Sequence, residues 1–227
     1  MVKVLELFSG THSVGKVAKK KGWEVVSLDL NNADINIDIL EWNYMIYDSN
    51  EFDIIWASPP CDTFSSIKKT HIGRKRKCGK IITKEDIEKD IHDRGLPLLN
   101  KTLEILLYFR PKYYFIENPQ SSSMKQYLDL PYYDVDYCKY CLWGYRKRTR
   151  LWTNLEGFVP QKCRQDCENC IDGKHRINIG MTTKKRIEGI KSEYTKLSER
   201  YRIPPKLIEE LFRNYNYQGN MTNLATT

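Results

Sequence analysis

Short strand-like segments alternate with helix-like segments along the first two thirds of the chain, and this alternation limits the fold more than any other feature. Apolar segments of strand length lie at residues 2–7, 24–28, 34–39, 53–57 and 113–116. Helical patterns follow the first segment up to residue 21 and recur at residues 96–110 and 122–128. Alternation of this kind predicts an α/β fold with a mostly parallel, doubly wound sheet. Two further strand candidates, at residues 133–137 and 149–153, are close enough in sequence to form an antiparallel edge.

The 227 residues divide by composition into three parts. Residues 1–155 carry the alternating pattern and form the expected core. Residues 156–200 begin with a polar, cysteine-rich stretch that is too short to build an apolar core and therefore needs a staple. Helical patterning returns at residues 184–201. Residues 201–227 are expected to return to the core as a helix that Pro204 and Pro205 open, running to about residue 213 and followed by a tail.

Composition and sequence ends exclude several classes of protein. Hydrophobic residues make up 41% of the chain, enough to fill a core, so a wholly disordered chain is excluded. No apolar run approaches the roughly 18 residues that a membrane span needs. The N-terminus lacks the apolar segment and cleavage site of a secretory signal. We therefore expect a soluble, intracellular monomer whose seven cysteines are reduced.

The charge balance favours a polyanionic partner such as nucleic acid. Lys and Arg number 37 against 29 Asp and Glu, which gives a formal net charge of +8 and an isoelectric point near 9.0. Part of this charge follows Cys61, where it is placed to close over phosphates, although a solvated mobile loop fits the same pattern. The basic residues there are Lys68, Lys69, Arg74, Lys75, Arg76, Lys77 and Lys80.

The first strand-like segment leads into a turn that suits a nucleotide-like cofactor. Such a turn places backbone N–H groups and a helix N-terminus at the carboxyl edge of the sheet. Its residues are Phe8, Ser9, Gly10, Thr11, His12 and Ser13. Asp29 with Leu30 ends the second segment, where a carboxylate holds ribose hydroxyls, and Asp38 with Ile39 ends the third, where the pair can contact an adenine. Together they predict an adenosine cofactor; an ordinary β–α turn and solvated or helix-capping aspartates are the alternatives.

Reactive side chains follow the later strands in an order that predicts one site. Two prolines after the fourth segment present the thiol of Cys61, and rigid presentation suits a nucleophile. Glu117 and Asn118 end the fifth segment, and strand alternation directs Arg148 and Arg150 to one side. Taken singly, these residues also fit a buried core thiol, a helix cap and a solvated arginine face. All of them in this order on one alternating chain favour convergence at the carboxyl edge of the sheet.

At this point the sequence resembles the DNA cytosine-5 methyltransferase family. The resemblance rests on the ordered motifs FSGTHSVG, SPPC, ENP and RKRTR, and it covers roughly residues 2–150. A C-terminal Gln218-Gly219-Asn220 also looks like the family's final cofactor motif. The family implies a Rossmann-like methyltransferase fold, S-adenosyl-L-methionine as methyl donor, and a flipped cytosine in double-stranded DNA as substrate.

The resemblance also implies roles by position. Cys61 takes the place of the nucleophile that adds to cytosine C6, and Glu117 with Asn118 takes the place of the pair that grips the base. Arg148 and Arg150 match the two arginines of the eighth motif, and Asn220 matches a cofactor-binding residue. The chain departs from the family in having His12 and Ser13 where a second and third glycine are usual, so the backbone there must avoid glycine-only conformations or accept strain.

The remaining cysteines give a separate signal for metal. Cys163, Cys167, Cys170 and His175 supply three thiolates and an imidazole within a short stretch, a spacing suited to tetrahedral Zn²⁺. Cys138 and Cys141 form a rival pair that can replace one of these ligands. Their place beside a predicted strand favours packing instead. We therefore predict a small, zinc-stapled appendage on the core.

Two alternative functions compete with DNA cytosine methylation. The same chemistry on RNA is one, because a branch of the family methylates transfer RNA; the Cys-Phe-Thr tripeptide of that branch is not present. A catalytically silent zinc and nucleic-acid binding protein is the other, and the presence of Cys61, Glu117 and Arg148 argues against it. Because little sequence separates Arg150 from the last helix, we expect a short recognition sequence with most affinity coming from phosphate contacts.

Overall fold

The structure is a computed structural model that describes residues 1–75, 78–177 and 200–221, except for the side chains of residue 214 and of residues 216–221. Its larger sheet has seven strands. They are β1 (Lys3–Leu7), β2 (Glu24–Asp29), β3 (Ile35–Asn36), β4 (Ile54–Ala57), β5 (Tyr113–Pro119), β6 (Tyr132–Asp136) and β7 (Arg148–Thr153). A second, two-stranded sheet contains β8 (Cys170–Ile171) and β9 (Lys174–His175).

The strand order confirms the predicted fold class. The strands lie in the order β3-β2-β1-β4-β5-β7-β6, and pairing is parallel from β3 to β5. Only the last two pairings, β5 with β7 and β7 with β6, are antiparallel. This order, with one reversed strand near the edge, is that of the Rossmann-like methyltransferase fold. The predicted antiparallel edge is also confirmed.

The helices agree with the predictions less evenly than the strands. They are α1 (Ser13–Lys20), α2 (Lys84–Asp90), α3 (Leu96–Phe109) and α4 (Pro205–Met221), with a π-helical turn at Ile91–Gly95 joining α2 to α3. The predicted helix at residues 122–128 is a short 3-10 helix, Ser123–Gln126, and α4 is longer than predicted. The helical pattern at residues 184–201 lies outside the described residues except for its last two positions.

Alternation along the central strands builds an apolar layer on each face of the sheet. In β4, Ile54 and Trp56 face one layer, and Ile55 faces the other. The first layer contains the buried sides of α1 and α4, and the second contains Ile105 and Phe109 of α3. Both faces of the parallel strands are therefore covered, which leaves the carboxyl ends of the strands as the accessible edge.

The C-terminal helix packs on the core, and the cysteine-rich segment is attached to it through the connection between β6 and β7. Phe212 of α4 lies against Trp23 with ring centroids 5.1 Å apart, and Tyr215 donates to Asp53 at 2.8 Å. The cysteine-rich segment is fastened to the connection between β6 and β7, where the Ile177 N–H donates to the carbonyl of Gly144 at 2.8 Å. Among the described helices, none is both long enough and apolar enough to cross a membrane.

Candidate active site

A cleft of about 590 Å³ opens at the carboxyl ends of β1, β2, β4 and β5. Parallel α/β sheets bind ligands at this edge, and the volume falls within the range of small-molecule sites. The cleft gathers most of the predicted cofactor and catalytic residues into one space. Those lining it are Phe8, Ser9, Gly10, Thr11, Ser13, Asp29, Leu30, Asp38, Ile39, Cys61, Glu117 and Asn118.

The turn after β1 accepts unusual backbone geometry to form this cleft. Phe8, Gly10 and His12 all have left-handed backbone conformations, with φ of 57°, 44° and 53°. His12 thus occupies the conformation that the family fills with glycine, at some cost in strain. Its ring nitrogen Nε2 contacts the carbonyl oxygen of Asn32 at 2.6 Å, which anchors the residue beside the cleft and not in its lining. The buried hydroxyl of Ser9 has no hydrogen-bond partner among the described atoms.

Both predicted aspartates line the cleft, Asp29 at the end of β2 and Asp38 two residues after β3, which is shorter than the predicted third strand. Asp29 accepts hydrogen bonds from the N–H groups of Gly10, at 2.8 Å, and Leu30, at 2.7 Å, so it also ties the β1 turn to the end of β2. Asp38 accepts from the Leu40 N–H at 3.0 Å through one oxygen. A carboxylate has about four acceptor sites, so both side chains keep capacity for a ligand. The side chain of Asn220 lies outside the described part of α4.

Glu6 is a buried residue that holds the start of α1, and no sequence motif indicated this role. Its two oxygens accept from the N–H groups of Val14, at 3.0 Å, and Gly15, at 2.9 Å, at the start of α1. Burial raises the pKa of Glu6 to about 7 against the effect of these two N–H donors. A Cβ at position 15 would lie 2.8 Å from Glu6 Oε2, so a larger residue there would displace this carboxylate from its two N–H donors.

Cys61 lies half-buried in the turn that follows β4. Asn118 holds this turn, because its Nδ2 donates to the carbonyl of Pro59 at 2.9 Å. The other amide atom, Asn118 Oδ1, is buried without a partner among the described residues, and a ligand in the cleft would supply one. Burial and the nearby Glu117 raise the pKa of Cys61, while Lys147 lowers it.

Glu117 is the centre of the polar network on the β4–β5 side of the cleft. It accepts from the hydroxyl of Tyr137 at 3.0 Å and pairs with Lys147 Nζ at 3.4 Å. Lys147 also donates to the carbonyl of Arg200 at 3.4 Å and lies 4.9 Å from the centre of the Tyr137 ring. Burial and the carboxylate of Glu117 raise the pKa of Tyr137 well above its ordinary value, so the phenol stays a hydrogen-bond donor.

The two motif arginines do not line the cleft, which corrects the sequence prediction. Arg148 forms a bidentate pair with Asp136, at 3.0 and 2.7 Å, and Arg150 forms one with Asp134, at 2.7 and 2.9 Å. These pairs join directly opposed residues of β6 and β7. Both guanidiniums are therefore occupied across the edge strands, and the cation in the described lining of the cleft is Lys147, the residue before Arg148.

Strand alternation does not by itself determine which of these cations faces Glu117. Successive side chains on a strand point to opposite faces, so either Lys147 or the Arg148–Arg150 pair can face Glu117. Nothing in the RKRTR motif decides between them. The available signal was the spacing of Asp134 and Asp136, which matches Arg148 and Arg150 in an antiparallel pairing.

The segment before α4 completes the cleft and was also missed. Tyr201 and Ile203 line it, and the Ile203 N–H donates to the hydroxyl of Ser13 at 3.1 Å. Burial, together with Cys61, raises the pKa of Tyr201. A sequence reading could not connect these residues to Ser13, because 190 positions separate the two partners.

The basic residues after Cys61 are only partly available for phosphates. Lys68 pairs with Asp90, and Lys80 pairs with Asp86 at 2.8 Å. Arg76 and Lys77 lie outside the described residues. Arg94, on the π-helical turn, bridges Asp90 at 2.8 Å and Asp62 at 3.2 Å, and so connects this region to the residue after Cys61.

A second cluster of reactive side chains lies where the cysteine-rich segment meets the β6–β7 connection. The donor atoms of Cys138, Cys163, Cys167 and His175 all lie within 4.8 Å of one another. Cys170 differs from its predicted place: its Sγ lies 3.6 Å from that of Cys167 but is not one of the four mutually close atoms. Cys138, predicted to serve packing, takes that place.

Comparison with known proteins gives one extensive match. A probable DNA (cytosine-5)-methyltransferase of Frog virus 3 (isolate Goorha) is 44% identical over 219 residues, covering 92% of this chain and 98% of the viral protein. No protein-family model matches the chain.

Two solved methyltransferase structures are more distantly similar. The methyltransferase EhMeth of Entamoeba histolytica is 18% identical with a TM-score of 0.48, over 72% of this chain and 57% of that one. A DNMT2 of Spodoptera frugiperda is 19% identical with a TM-score of 0.44, over 71% of this chain and 53% of that one. The chain thus spans little more than half the length of either solved chain.

Proposed function

The chain belongs to the DNA (cytosine-5)-methyltransferase family, and from this membership we propose that it methylates C5 of cytosine in double-stranded DNA. The methyl donor is S-adenosyl-L-methionine. One observation carries the proposal: most of the predicted cofactor residues line a single cleft of about 590 Å³ together with Cys61, Glu117 and Asn118. In this assignment residues 1–155 form the catalytic core, residues 156–200 the cysteine-rich appendage, and residues 201–227 the C-terminal return.

The β1–β2 side of the cleft suits the methyl donor. S-adenosyl-L-methionine, when bound, supplies an electrophilic methyl group on a sulfonium. The turn after β1 would hold its polar groups through the unpartnered Ser9 hydroxyl. Asp29 would accept from ribose hydroxyls, and Asp38 with Ile39 would contact the adenine.

The β4–β5 side suits a cytosine. Cytosine C5 is a poor nucleophile, so covalent addition is needed before it can accept a methyl group. The Sγ of Cys61 would add to C6, breaking the C5–C6 double bond and moving electron density toward C5 and N3. Glu117 would hold a proton at N3, where negative charge accumulates. After methylation, the C5 proton passes to solvent, its electron pair restores the C5–C6 double bond, and the Cys61 thiolate leaves C6, which gives 5-methylcytosine.

Lys147 is the charge that favours the reactive form of Cys61. Burial and the charge of Glu117 raise the pKa of Cys61 and so disfavour its thiolate form. The charge of Lys147 opposes both effects. We assign Lys147 as a positioning residue that fixes Glu117 at 3.4 Å and supports the thiolate. This places a lysine where the resemblance implied Arg148.

The substrate base must leave the duplex to reach this cleft. Neither C5 nor C6 is accessible to Cys61 in a stacked helix, so the base is extruded at a cost of a few kcal/mol. Binding to phosphates offsets that cost, in keeping with the net charge of +8.

The proposal is tested by transfer of tritiated methyl groups from S-adenosyl-L-methionine to duplex DNA and to RNA, followed by nucleoside analysis. We expect label in 5-methyldeoxycytidine. Label confined to 5-methylcytidine of RNA would transfer the assignment to RNA. Binding of both S-adenosyl-L-methionine and DNA with no transfer to either polymer would favour a silent binding protein.

A further inference from the structure

The cluster behind the β6–β7 connection has the geometry of a closed metal site. His175 Nε2 lies 3.4 Å from Cys167 Sγ and 3.6 Å from Cys163 Sγ, and Cys138 Sγ completes a group within 4.8 Å. Zinc–sulfur bonds of about 2.3 Å in a tetrahedron separate neighbouring ligand atoms by about 3.8 Å. The four donors therefore need only small adjustments to surround one ion.

The chemistry of the donors selects the metal. Three thiols and one imidazole form the Cys₃His set of structural zinc sites, and all three cysteines are free of disulfides. We propose that Cys138, Cys163, Cys167 and His175 bind one Zn²⁺. Four protein ligands fill a tetrahedron and leave no position for water, so the ion is structural.

This ligand set connects two parts of the chain that the spacing of the cysteines alone would keep separate. Cys138 lies in the 3-10 helix Tyr137–Lys139, directly after β6, whereas Cys163, Cys167 and His175 belong to the cysteine-rich segment. If Cys170 were the fourth ligand, the metal would cross-link residues of the cysteine-rich segment only. A site built from Cys138 fastens it to the edge of the central sheet.

Hydrogen bonds around the cluster hold the ligand backbone in place. Asn169, which is buried, donates to the carbonyls of Cys138 and Cys141, each at 2.8 Å, and accepts from the Gly144 N–H at 2.7 Å. The Cys163 N–H donates to Asp136 at 2.8 Å. Such partners around a ligand set orient metal ligands and raise affinity.

The proposed site lies next to the catalytic network without belonging to it. Tyr137, the neighbour of Cys138, donates to Glu117, and Asp136 pairs with Arg148. None of the four ligands lines the cleft. The zinc would therefore position the β6–β7 connection and contribute no reacting group. This inference goes beyond the proposed function and stands or fails separately, because its readout is metal content.

The decisive experiment compares Cys138→Ser with Cys170→Ser in the full chain, purified without chelator under reducing conditions. We expect about one zinc per chain by elemental analysis in the wild type and in Cys170→Ser, and loss of most of it in Cys138→Ser. A Cys138→Ser variant that keeps stoichiometric zinc, a Cys170→Ser variant that loses it, or wild-type protein without zinc would each overturn the proposal.

A second measurement on the wild type covers the case in which Cys138→Ser fails to fold. Cys167 and Cys170 are both half-buried, so their reactivity toward N-ethylmaleimide can be compared peptide by peptide. We expect a strong chelator to accelerate alkylation of Cys167 at least about tenfold while leaving Cys170 unchanged. Equal acceleration of both thiols, or of neither, would contradict the assigned ligand set.

Discussion

The parallel part of the sheet and its antiparallel edge position functional side chains by different means. In the parallel part, β1, β2, β4 and β5 each end in a turn, and the residues of those turns enter the cleft directly. At the edge, side chains are placed by pairing across strands: Arg148 and Arg150 are taken up by Asp136 and Asp134, and Lys147 is left facing Glu117.

This difference separates local from long-range determinants of one site. The position of a functional residue in a strand-end turn is set by the strand that precedes it. A substitution there should therefore affect chemistry or cofactor binding with little effect elsewhere. A residue placed by cross-strand pairing depends on register, and a slip of one position would exchange Lys147 for Arg148 at the cleft. The predictions below test whether the two parts of the sheet fail in these different ways.

The largest effect is expected at Cys61, in the turn after β4. Cys61→Ala removes the nucleophile and should lower methyl transfer by a factor on the order of 10³ or more. The wild type should form a covalent complex with 5-fluorocytosine DNA in the presence of S-adenosyl-L-methionine, because fluorine cannot leave as the C5 proton does. Cys78→Ala, at an exposed thiol, is the control and should trap normally. C5 methylation by Cys61→Ala at a rate close to that of the wild type would contradict the covalent mechanism.

Glu117 comes next, at the end of β5. Glu117→Gln keeps the shape but removes the proton carrier at N3, so turnover should fall by a factor on the order of 10². The affinity for S-adenosyl-L-methionine, measured by calorimetry, should stay close to that of the wild type. The exposed Glu156 gives a matched control, and Glu156→Gln should change neither quantity. A selective loss of cofactor affinity in Glu117→Gln would place this carboxyl on the wrong side of the cleft.

The parallel part of the sheet was largely predictable, because its signals are local. The β1 turn, Asp29, Asp38 and the SPPC turn were each assigned from a few neighbouring residues, and all of them reach the cleft. Helix α2 was missed although it begins with a capping box between Thr83 and Asp86. Its charged sequence buries only Ile87, so apolar periodicity gave no signal there.

The edge strands and the cysteine cluster were less predictable, because their partners are distant in sequence. Motif alignment could not decide which of Lys147 and Arg148 faces Glu117, since that choice depends on the register of β7 against β6. Likewise Cys138 joins Cys163 only because β6 ends where the cysteine-rich segment returns, 25 residues later. The spacing within residues 163–175 favoured Cys170 instead.

Glu6 provides a test of stability within the parallel part. Its pKa is raised by burial from an ordinary 4.5 to about 7, so the folded protein binds more protons than the unfolded chain between these values. The contribution of Glu6 is therefore complete below about pH 4.5 and is lost as pH rises through 7, by at most about 3 kcal/mol. Denaturant unfolding of wild type and Glu6→Gln across pH 5 to 8 measures it.

Glu6→Gln cannot titrate, and its amide must face one of the two N–H donors of α1, so its penalty is independent of pH. The stability advantage of the wild type over the variant should shrink as pH rises. A difference that stays constant across this range would show that Glu6 is already ionised in the folded protein at low pH.

The smallest effects, and the sharpest test of the comparison, come from two adjacent cations at the edge. Lys147→Met removes the charge that lowers the pKa of Cys61, so the limb of the pH–rate profile that reports the thiolate should move to higher pH, with about tenfold lower turnover at neutral pH. Lys147→Arg should restore most of the loss, because it keeps the charge.

Arg148→Met should instead change the stability of the fold. It leaves buried Asp136 with only Arg146 and the Cys163 N–H as partners among the described residues. We expect the free energy of unfolding to fall by about 2 kcal/mol. This is less than for a fully buried pair, because the Arg148 side chain is 35% exposed. Its pH–rate profile should match that of the wild type. If Arg148→Met shifts the profile and Lys147→Met only destabilises, the register of β7 is off by one residue, and the arginine belongs in the cleft as the family motif implies.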